Sequence, residues 1–346
     1  MLNLRLARPE QMLDSGWQQM PVAPRGGCRL GISFRPRQVE AFGLDGRSTL
    51  EQLLAYPFEV IRLAAYWDRI ESPDGAFDTA ELDWQLEAAE RAGKQVILGV
   101  GAVKNFGYPE VFVPKHHLLA TPLREGRLVT PQSHPALLAA AQRFISQIVV
   151  TYKSRASVVA WQLEHEAVDP LGVEHSWRLS EAFVRDELEA LKAADPDRPV
   201  VMNGFLPMSP VVALNQRWST RDQGDSLAVA ARLADIVGVD YYPRHALLRI
   251  GSRTLYVDGS GSPIPKVAGR RVMFTEGQAE PWETTTTPPN PKERFLFSCG
   301  PDQLIRNFNA AMALKPEAYL LWGAEYWVLR EQSGDRSYLE AFARLQ

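Results

Sequence analysis

Short apolar runs alternate with longer amphipathic stretches along the whole of this chain. Each run is bounded by glycine, proline or polar residues, which is typical of a buried β-strand. Eight such runs occur, at residues 28–34, 58–65, 94–100, 158–163, 199–202, 236–239, 272–274 and 318–321. Apolar residues at helical spacing predict helices between them, at residues 49–55, 78–92, about 135–152, 175–193 and 226–233.

Two of these helices begin with a recognisable cap signal. Ser48 is followed three residues later by Glu51, which predicts a capping box for the first helix. Asp78 stands in the same relation to Glu81 and opens the second helix, which Gly93 ends.

The alternation of eight apolar strands with helices favours a (β/α)8 barrel. Strands that are apolar on both faces belong to parallel sheets covered by helices, and eight such units favour a closed barrel over an open doubly wound sheet. No linker, repeat or low-complexity tract divides the 346 residues. We therefore expect a single domain over residues 1–346, with residues 1–27 as an N-terminal extension.

Two segments depart from the regular alternation. Residues 243–270 are rich in Gly, Pro and Ser and lack helical periodicity, so we expect a hairpin or irregular excursion in place of the sixth helix. Residues 280–291 are too rich in proline for a helix or a strand, and a long loop after the seventh strand belongs to the catalytic face. Trp282 in this loop is a candidate to line a substrate subsite, and an oligomer contact is the alternative.

Composition and charge narrow the possible partners. The chain is 45% hydrophobic and 23% charged, and its net charge of −3 comes without a Lys/Arg cluster interleaved with aromatics, so we expect no nucleic-acid partner. Residues 1–27 contain no apolar run long enough for a signal peptide, and no segment is long enough to span a bilayer. These features predict a cytoplasmic protein without a membrane partner. Cys28 and Cys299 have neither metal-ligand nor disulfide spacing and are expected to be buried thiols.

Acidic residues stand at the ends of the fourth and seventh strands, where barrel enzymes carry their active sites. The fourth strand runs into Glu164 and Glu166, on the same side of an extended strand, and the seventh runs into Glu276. A carboxyl group directly after an apolar strand is partly desolvated, which raises its pKa and keeps it protonated near neutral pH. Strands four and seven face each other across the barrel, so a sugar fits between their ends. This suits a retaining glycosidase, whose two carboxyl groups are about 5 to 5.5 Å apart.

The same glutamates have a plainer explanation as surface helix caps or metal ligands. Metal catalysis requires clusters of histidine and carboxylate, and no metal-motif spacing is found among the six histidines, at positions 116, 117, 134, 165, 175 and 245. His116 and His117 are expected to lie in a loop. We therefore expect neither a metal nor a cofactor.

At these positions the sequence resembles the clan A glycoside hydrolases, retaining (β/α)8 enzymes that include the family 42 β-galactosidases and the family 5 cellulases and mannanases. Residues 161–166, Trp-Gln-Leu-Glu-His-Glu, are similar to the Trp-Gln-x-x-Asn-Glu ending of strand four in the clan, whose last Glu is the acid/base. The resemblance therefore selects Glu166 over Glu164. Residues 275–277, Thr-Glu-Gly, resemble the strand-seven ending that carries the nucleophile, which implies that role for Glu276.

Further motifs extend the resemblance over residues 28–325. Val-Ile-Arg-Leu at 60–63, followed by Trp-Asp-Arg-Ile-Glu at 67–71 and Gly-Ala-Phe-Asp at 75–78, resembles the second βα unit of the clan. That likeness implies that Arg62 supports the nucleophile. A buried arginine on an apolar strand needs a carboxylate partner in any case, and a purely structural ion pair is the alternative.

Aromatic residues at two other strand ends complete the resemblance. Val-Asp-Tyr-Tyr-Pro at 239–243 is similar to the sixth-strand ending whose tyrosine hydrogen-bonds the nucleophile, which implies that role for Tyr242. Leu-Trp-Gly at 321–323 resembles the aromatic platform beneath the sugar, and core packing is the alternative for Trp322.

One residue departs from the pattern of the clan. His165 occupies the place of the asparagine that contacts the sugar 2-hydroxyl. A histidine can donate a hydrogen bond there, but its bulk, charge and reach differ, which puts the usual sugar preference in doubt.

The sequence thus predicts a carbohydrate-cleaving enzyme that works by double displacement on β-linked glycosides. One alternative is a barrel that binds carbohydrate without cutting it, and a further one is a metal-dependent isomerase or lyase. The sugar, the linkage, exo or endo action and the oligomeric state depend on loops that a single sequence does not place.

Overall fold

Eight parallel strands close into a barrel in the order in which they occur along the chain, with the last pairing with the first. The computed structural model describes residues 3–8, 16–120, 122–170, 175–268, 271–283 and 297–346. The barrel strands are β1 (Arg29–Ser33), β2 (Val60–Ala64), β3 (Gln95–Gly99), β4 (Val158–Gln162), β5 (Val200–Phe205), β6 (Ile236–Tyr241), β7 (Val272–Gln278) and β8 (Ala318–Trp322). The predicted (β/α)8 fold and all eight strand positions are confirmed.

The strands are apolar on both faces because one face fills the barrel and the other packs against helices. The interior is filled by a separate cluster of apolar side chains, Val60, Ile97, Ala160, Val201, Ile236, Met273, Ala318 and Leu320. Strand β1 contributes Gly31 to this region. A Cβ atom there would lie 2.2 Å from the Val60 carbonyl oxygen and 2.4 Å from Leu320 Cδ2, so the barrel closes on a residue without a side chain.

Helices cover the outside of the barrel. In the described ranges they are Pro36–Ala41, Gly46–Leu54, Trp67–Ile70, Ala80–Arg91, Lys115–Ala120, Pro135–Tyr152, Glu181–Ala194, Pro210–Ser219, Ser226–Leu233, Pro301–Met312, Ala324–Gln332 and Ser337–Ala343. The helices at 135–152 and 226–233 have the predicted bounds.

Three predicted helix starts are wrong. The helix expected to open at Asp78 begins at Ala80, and Thr79 is at its N-cap position. The first helix begins at Gly46 because Asp45 is its N-cap and accepts a hydrogen bond from the Ser48 amide at 2.8 Å, so Ser48 is not the cap. The helix expected from residue 175 begins at Glu181, since Ser180 accepts from the Phe183 amide. The two residues before this cap form a short strand instead.

Seven of the helices in the described ranges were not predicted, and the two longest of these have 10 and 12 residues. Pro210–Ser219 buries only Gln216 among its residues and leaves Leu214 and Trp218 exposed, so it has no apolar stripe to detect. Pro301–Met312 does place Leu304, Ile305 and Phe308 at helical spacing against the core. This apolar spacing is visible in the sequence, so the helix was predictable although we did not predict it.

The excursion expected between β6 and β7 is a hairpin of strands Arg244–Ile250 and Arg253–Asp258. The N-terminal strand Leu4–Ala7 pairs with the second hairpin strand, Arg253–Asp258, which becomes the central strand of a three-stranded antiparallel sheet. The N-terminal extension is therefore tied to the loop region after β6. Most of the proline-rich loop, from residue 284 onward, lies outside the described residues.

Cys28 and Cys299 are buried free thiols, as predicted. In the described part of the chain, no helix has the length and apolarity needed to cross a bilayer. The cytoplasmic location and the exact limits of the domain stay predictions.

Candidate active site

Glu276, near the end of β7, receives one hydrogen bond on each carboxylate oxygen. Arg62 Nη2 donates to Oε1 at 2.7 Å and the Tyr242 hydroxyl donates to Oε2 at 2.6 Å. Burial and the charge of Glu276 raise the pKa of Tyr242 well above its ordinary value, so its hydroxyl stays protonated and donates. The positive guanidinium and this hydroxyl together stabilise a carboxylate in one orientation.

Arg62 is itself fully buried and held from three sides. Its Nε donates to Ser33 Oγ at 2.9 Å and its Nη1 to Gln162 Oε1 at 3.1 Å, in addition to the Glu276 contact. The donors of this guanidinium therefore point to residues on β1, β4 and β7. Arg62, on β2, thus holds the nucleophile candidate while its other donors are engaged by residues from two further strands of the barrel.

Glu166 lies in the opposite electrostatic situation. Only 8% of the residue is exposed, and burial raises the pKa of its carboxyl group well above the ordinary value, with further contributions from the charges of Asp240, Asp169 and Glu110. Burial therefore favours the protonated form of this carboxyl group. Lys104 Nζ donates to the Glu166 carbonyl oxygen at 2.7 Å and holds the backbone.

Glu164 does not share this position, although an extended strand would place it on the same side as Glu166. Strand β4 ends at Gln162, and Glu164 and Glu166 have φ angles of +53° and +43°. Such backbone conformations cost about 1–3 kcal/mol each and turn the chain out of the strand. Glu164 instead accepts the amides of Val103 at 3.0 Å and Lys104 at 2.6 Å. It anchors the loop after β3, and only Glu166 lines the cavity.

His165 is a neutral ring next to the nucleophile candidate. Its Nδ1 lies 2.9 Å from Asn203 Nδ2 and 3.7 Å from Glu276 Oε1. Burial, and then the charges of Arg62 and Lys104, lower the pKa of His165 well below its ordinary value. The Asn203 amide is oriented by Gln162 Nε2, which donates to Asn203 Oδ1 at 3.2 Å. Asn203 thus donates to Nδ1, and the ring proton is on Nε2.

A cavity of about 440 Å³ opens at the carboxyl ends of the strands and brings the predicted residues together. Glu166, Glu276, His165, Tyr242, Trp322 and Trp282 all line it. Arg62 is not among the lining residues, but it donates a hydrogen bond to Glu276, which is. All seven residues singled out in the sequence therefore converge on one place.

Aromatic rings form much of the cavity wall. Trp322 is 3% exposed and packs at 4.3 Å over the guanidinium of Arg35, while Trp282 is 37% exposed with its ring 4.8 Å from that of Tyr242. Flat apolar faces with polar edges suit the faces of sugar rings. Both tryptophans present aromatic surface to the cavity.

The cavity also contains residues that sequence reasoning missed. Tyr108 and Glu110 come from the loop after β3, and burial raises the pKa of Glu110 to about 7. Strand β3 ends at Gly99, so neither residue had the strand-end signal. Asp240 did have that signal, since it lies near the end of β6, and it accepts from Asn203 Nδ2 at 2.5 Å.

Beside the cavity, Arg35 forms a buried ion-pair cluster that was also missed. Its guanidinium donates to both oxygens of Glu280, at 2.8 and 2.9 Å, and to Glu325 Oε2 at 2.7 Å. Burial by itself would lower the pKa of Arg35, but the two carboxylates raise it well above its ordinary value. Because Arg35 also stacks on Trp322, this cluster supports the floor of the cavity.

His165, Asp240 and Glu276 bring ligand atoms within 4.8 Å of one another, which is close enough to consider a cation. Glu276 Oε1, however, already accepts from Arg62, and a guanidinium beside the site repels a metal ion. His165 Nδ1 is engaged by Asn203 as well. The donor set therefore fits an ion-paired carboxylate better than a metal centre.

Several solved structures of glycoside hydrolases have a similar fold. The chain is similar to xylanase 10B from Thermotoga maritima, with 15% identity, a TM-score of 0.52, and coverage of 86% of this chain and 84% of the other. It is similar to a β-galactosidase from Bacillus circulans sp. alkalophilus, with 14% identity and a TM-score of 0.54. The match covers 92% of this chain and 55% of the β-galactosidase chain. It is also similar to an exo-β-1,4-mannosidase from Opitutaceae bacterium strain TAV5, with 16% identity and a TM-score of 0.53. The match covers 88% of this chain and 55% of the mannosidase chain.

No protein-family model matches the sequence, and no curated protein matches it either. At these identities the structural likeness concerns the fold. The resemblance to the (β/α)8 glycoside hydrolases is thus confirmed at the level of architecture.

Proposed function

We propose that the chain is a retaining glycoside hydrolase that cleaves β-linked glycosides, with Glu276 as nucleophile and Glu166 as general acid/base. One observation carries the proposal. Two carboxyl groups line the same cavity in different environments, one paired with Arg62 and Tyr242 and the other with a pKa that burial raises. Pairs of carboxyl groups with opposite environments are characteristic of acid and nucleophile roles in glycosidases.

In the first step, a Glu276 oxygen attacks the anomeric carbon and forms an ester bond to the sugar. The glycosidic bond breaks, and its electron pair leaves with the departing oxygen, which takes the proton of Glu166. Arg62 and Tyr242 orient Glu276 for this attack through their two hydrogen bonds.

In the second step, Glu166 is a carboxylate and acts as a base. It takes a proton from a water molecule, whose oxygen attacks the anomeric carbon and displaces Glu276. The protonated Glu166 and the free Glu276 are regenerated, and two inversions leave the anomeric configuration unchanged. The neutral ring of His165 presents an Nε2–H donor for a sugar hydroxyl, in the role that the asparagine has in the clan.

Activity should fall on the alkaline side as Glu166 loses its proton. Because burial raises the pKa of Glu166, the acid form persists through neutral pH, and kcat/KM is expected to drop only as pH rises through that elevated pKa. The measurement is the pH profile of kcat/KM for wild type and Glu166→Ala with an aryl glycoside of moderate leaving-group ability, whose cleavage still benefits from protonation. The alkaline limb should disappear in Glu166→Ala and remain in Glu110→Gln. A limb that survives in Glu166→Ala would assign it to another group.

The proposal itself is tested by the dependence of Glu166→Ala on the leaving group. Loss of the acid should reduce hydrolysis of glycosides with poor leaving groups by about 10²–10⁴-fold and have a much smaller effect on dinitrophenyl glycosides. Added azide should attack the glycosyl-enzyme and release a β-glycosyl azide, which NMR identifies. A panel of aryl β-glycosides would also identify the sugar, with Glu317→Gln as a surface control.

An α-configured azide, or azide that has no effect while the enzyme remains active, would contradict the retaining mechanism. Absence of turnover on every glycoside, together with sugar binding in calorimetry, would favour the alternative of a non-catalytic carbohydrate-binding barrel. In that event His165→Asn is the first variant to examine.

A further inference from the structure

Outside the cavity, two adjacent histidines converge on a single glutamate. His116 and His117 lie in the helix Lys115–Ala120 rather than in the loop expected from sequence. Their Nε2 atoms are 3.4 and 3.0 Å from the same oxygen, Oε1 of Glu71. Adjacent residues on a helix point about 100° apart, so two neighbouring rings that reach one atom make an unusual arrangement.

We propose that Glu71, His116 and His117 form a binding site for a divalent transition-metal ion of the zinc type. Their ligand atoms all lie within 4.8 Å of one another. Two ligand atoms at zinc bonding distance in a tetrahedron are about 3.3 Å apart, close to both observed spacings. A spacing of 3.4 Å is long for an N–H···O hydrogen bond but suits an edge of such a tetrahedron.

The surroundings prepare the carboxylate for this role. Trp67 Nε1 donates to the other oxygen of Glu71, Oε2, at 2.6 Å, which leaves Oε1 directed at the histidines. The Trp67 ring is fully buried and stacks on Phe144 with centroids 5.5 Å apart. Hydrogen-bond partners that orient a ligand in this way are typical of metal sites.

Two protein imidazoles and one carboxylate leave a fourth position for water or another ligand. A second cavity, of about 430 Å³, is lined by Glu71 and His116, so the open position has room beside it. The cavity lies apart from the one that contains Glu166 and Glu276, and the lining residues of the two differ. This inference therefore does not rest on the proposed glycosidase activity.

Such an ion would link the loops that follow β2 and β3. Glu71 comes after β2, while the histidines belong to the segment after β3 that also contains Tyr108 and Glu110. The two loops already contact each other, since the Asp68 amide donates to the Phe112 carbonyl at 2.8 Å. Metal binding would stabilise this junction.

The test is binding of Zn²⁺ and Co²⁺ to the full chain after dialysis against a chelator. Calorimetry should give one Zn²⁺ per chain, bound at least about 100-fold more weakly in His116→Ala and in His117→Ala. Co²⁺ should give the visible absorption of a tetrahedral site in wild type. Zn²⁺ should raise the Tm of wild type and leave that of His117→Ala unchanged.

His134→Ala is the matched control. His134 is hydrogen-bonded to Ser133 Oγ and is not among the lining residues of either cavity. It should bind both ions like wild type. Circular dichroism of each variant verifies that it is folded. Equal Zn²⁺ affinity in wild type, His116→Ala and His117→Ala would overturn the proposal. It would also be overturned if His134→Ala lost as much Zn²⁺ affinity as these two variants, because that result indicates adventitious surface binding.

Discussion

Glu276→Gln is expected to lower kcat/KM by about 10⁴-fold or more, roughly 5.5 kcal/mol of transition-state stabilisation. The amide cannot form the ester bond of the first step, and residual catalysis would come only from binding and from Glu166. The loss should occur in kcat rather than in KM, because the missing interaction forms only as the bond to the sugar forms. Initial rates with an activated aryl glycoside measure it.

Glutamine at this position also leaves Arg62 without its charged partner, which could reduce stability. Glu276→Asp separates the two effects, because it keeps the charge and shortens the reach by one methylene. This variant should remain close to wild type in thermal unfolding yet lose most of its activity, since displacements of about 1 Å cost about 10²-fold. If Glu276→Gln is folded and retains a tenth of the wild-type rate, Glu276 is not the nucleophile.

Arg35→Met is expected to destabilise the protein by about 3–5 kcal/mol, the largest stability effect that the structure indicates. Arg35 is 1% exposed, and its removal leaves the buried carboxylates of Glu280 and Glu325 without a counter-charge. Thermal or denaturant unfolding measures the change. The matched control is Arg271→Met, whose pair with Glu317 is partly exposed and should contribute about 0–1 kcal/mol.

The destabilisation by Arg35→Met should also depend on pH. Without the arginine, burial favours the neutral forms of the two carboxyl groups, so the folded state takes up protons more readily than the unfolded chain. Stability of the variant should therefore be higher at pH 5 and decrease as pH rises, relative to wild type. A deficit that is equal at pH 5 and pH 8 would contradict the role of Arg35 as counter-charge.

Much of the fold was predictable because its information is local. Each barrel strand is an apolar run, and the helix Pro135–Tyr152 shows its period within its own residues. The strand-end positions of Glu166 and Glu276 follow from the same runs, since in a parallel barrel every strand ends at the same face. The contacts of Arg62 and Tyr242 with Glu276 were implied by resemblance, and the structure brings these residues together.

Other features depend on how separate loops meet, which no periodicity encodes. The opposite placement of Glu164 and Glu166 arises from positive φ angles after β4, and those are held by contacts with the loop after β3. The cluster of Arg35, Glu280 and Glu325 joins residues 245 and 290 positions apart.

By itself the sequence determined the barrel, the face that carries the chemistry and the two glutamates at that face, because strand periodicity and strand ends are properties of short segments. Only the tertiary structure decided that Glu276 is paired with Arg62 and Tyr242, while burial raises the pKa of Glu166. It also decided that Glu71 meets two histidines more than forty residues away. Charge state and ligand geometry depend on burial and on partners from distant loops, and both exist only once the chain has folded.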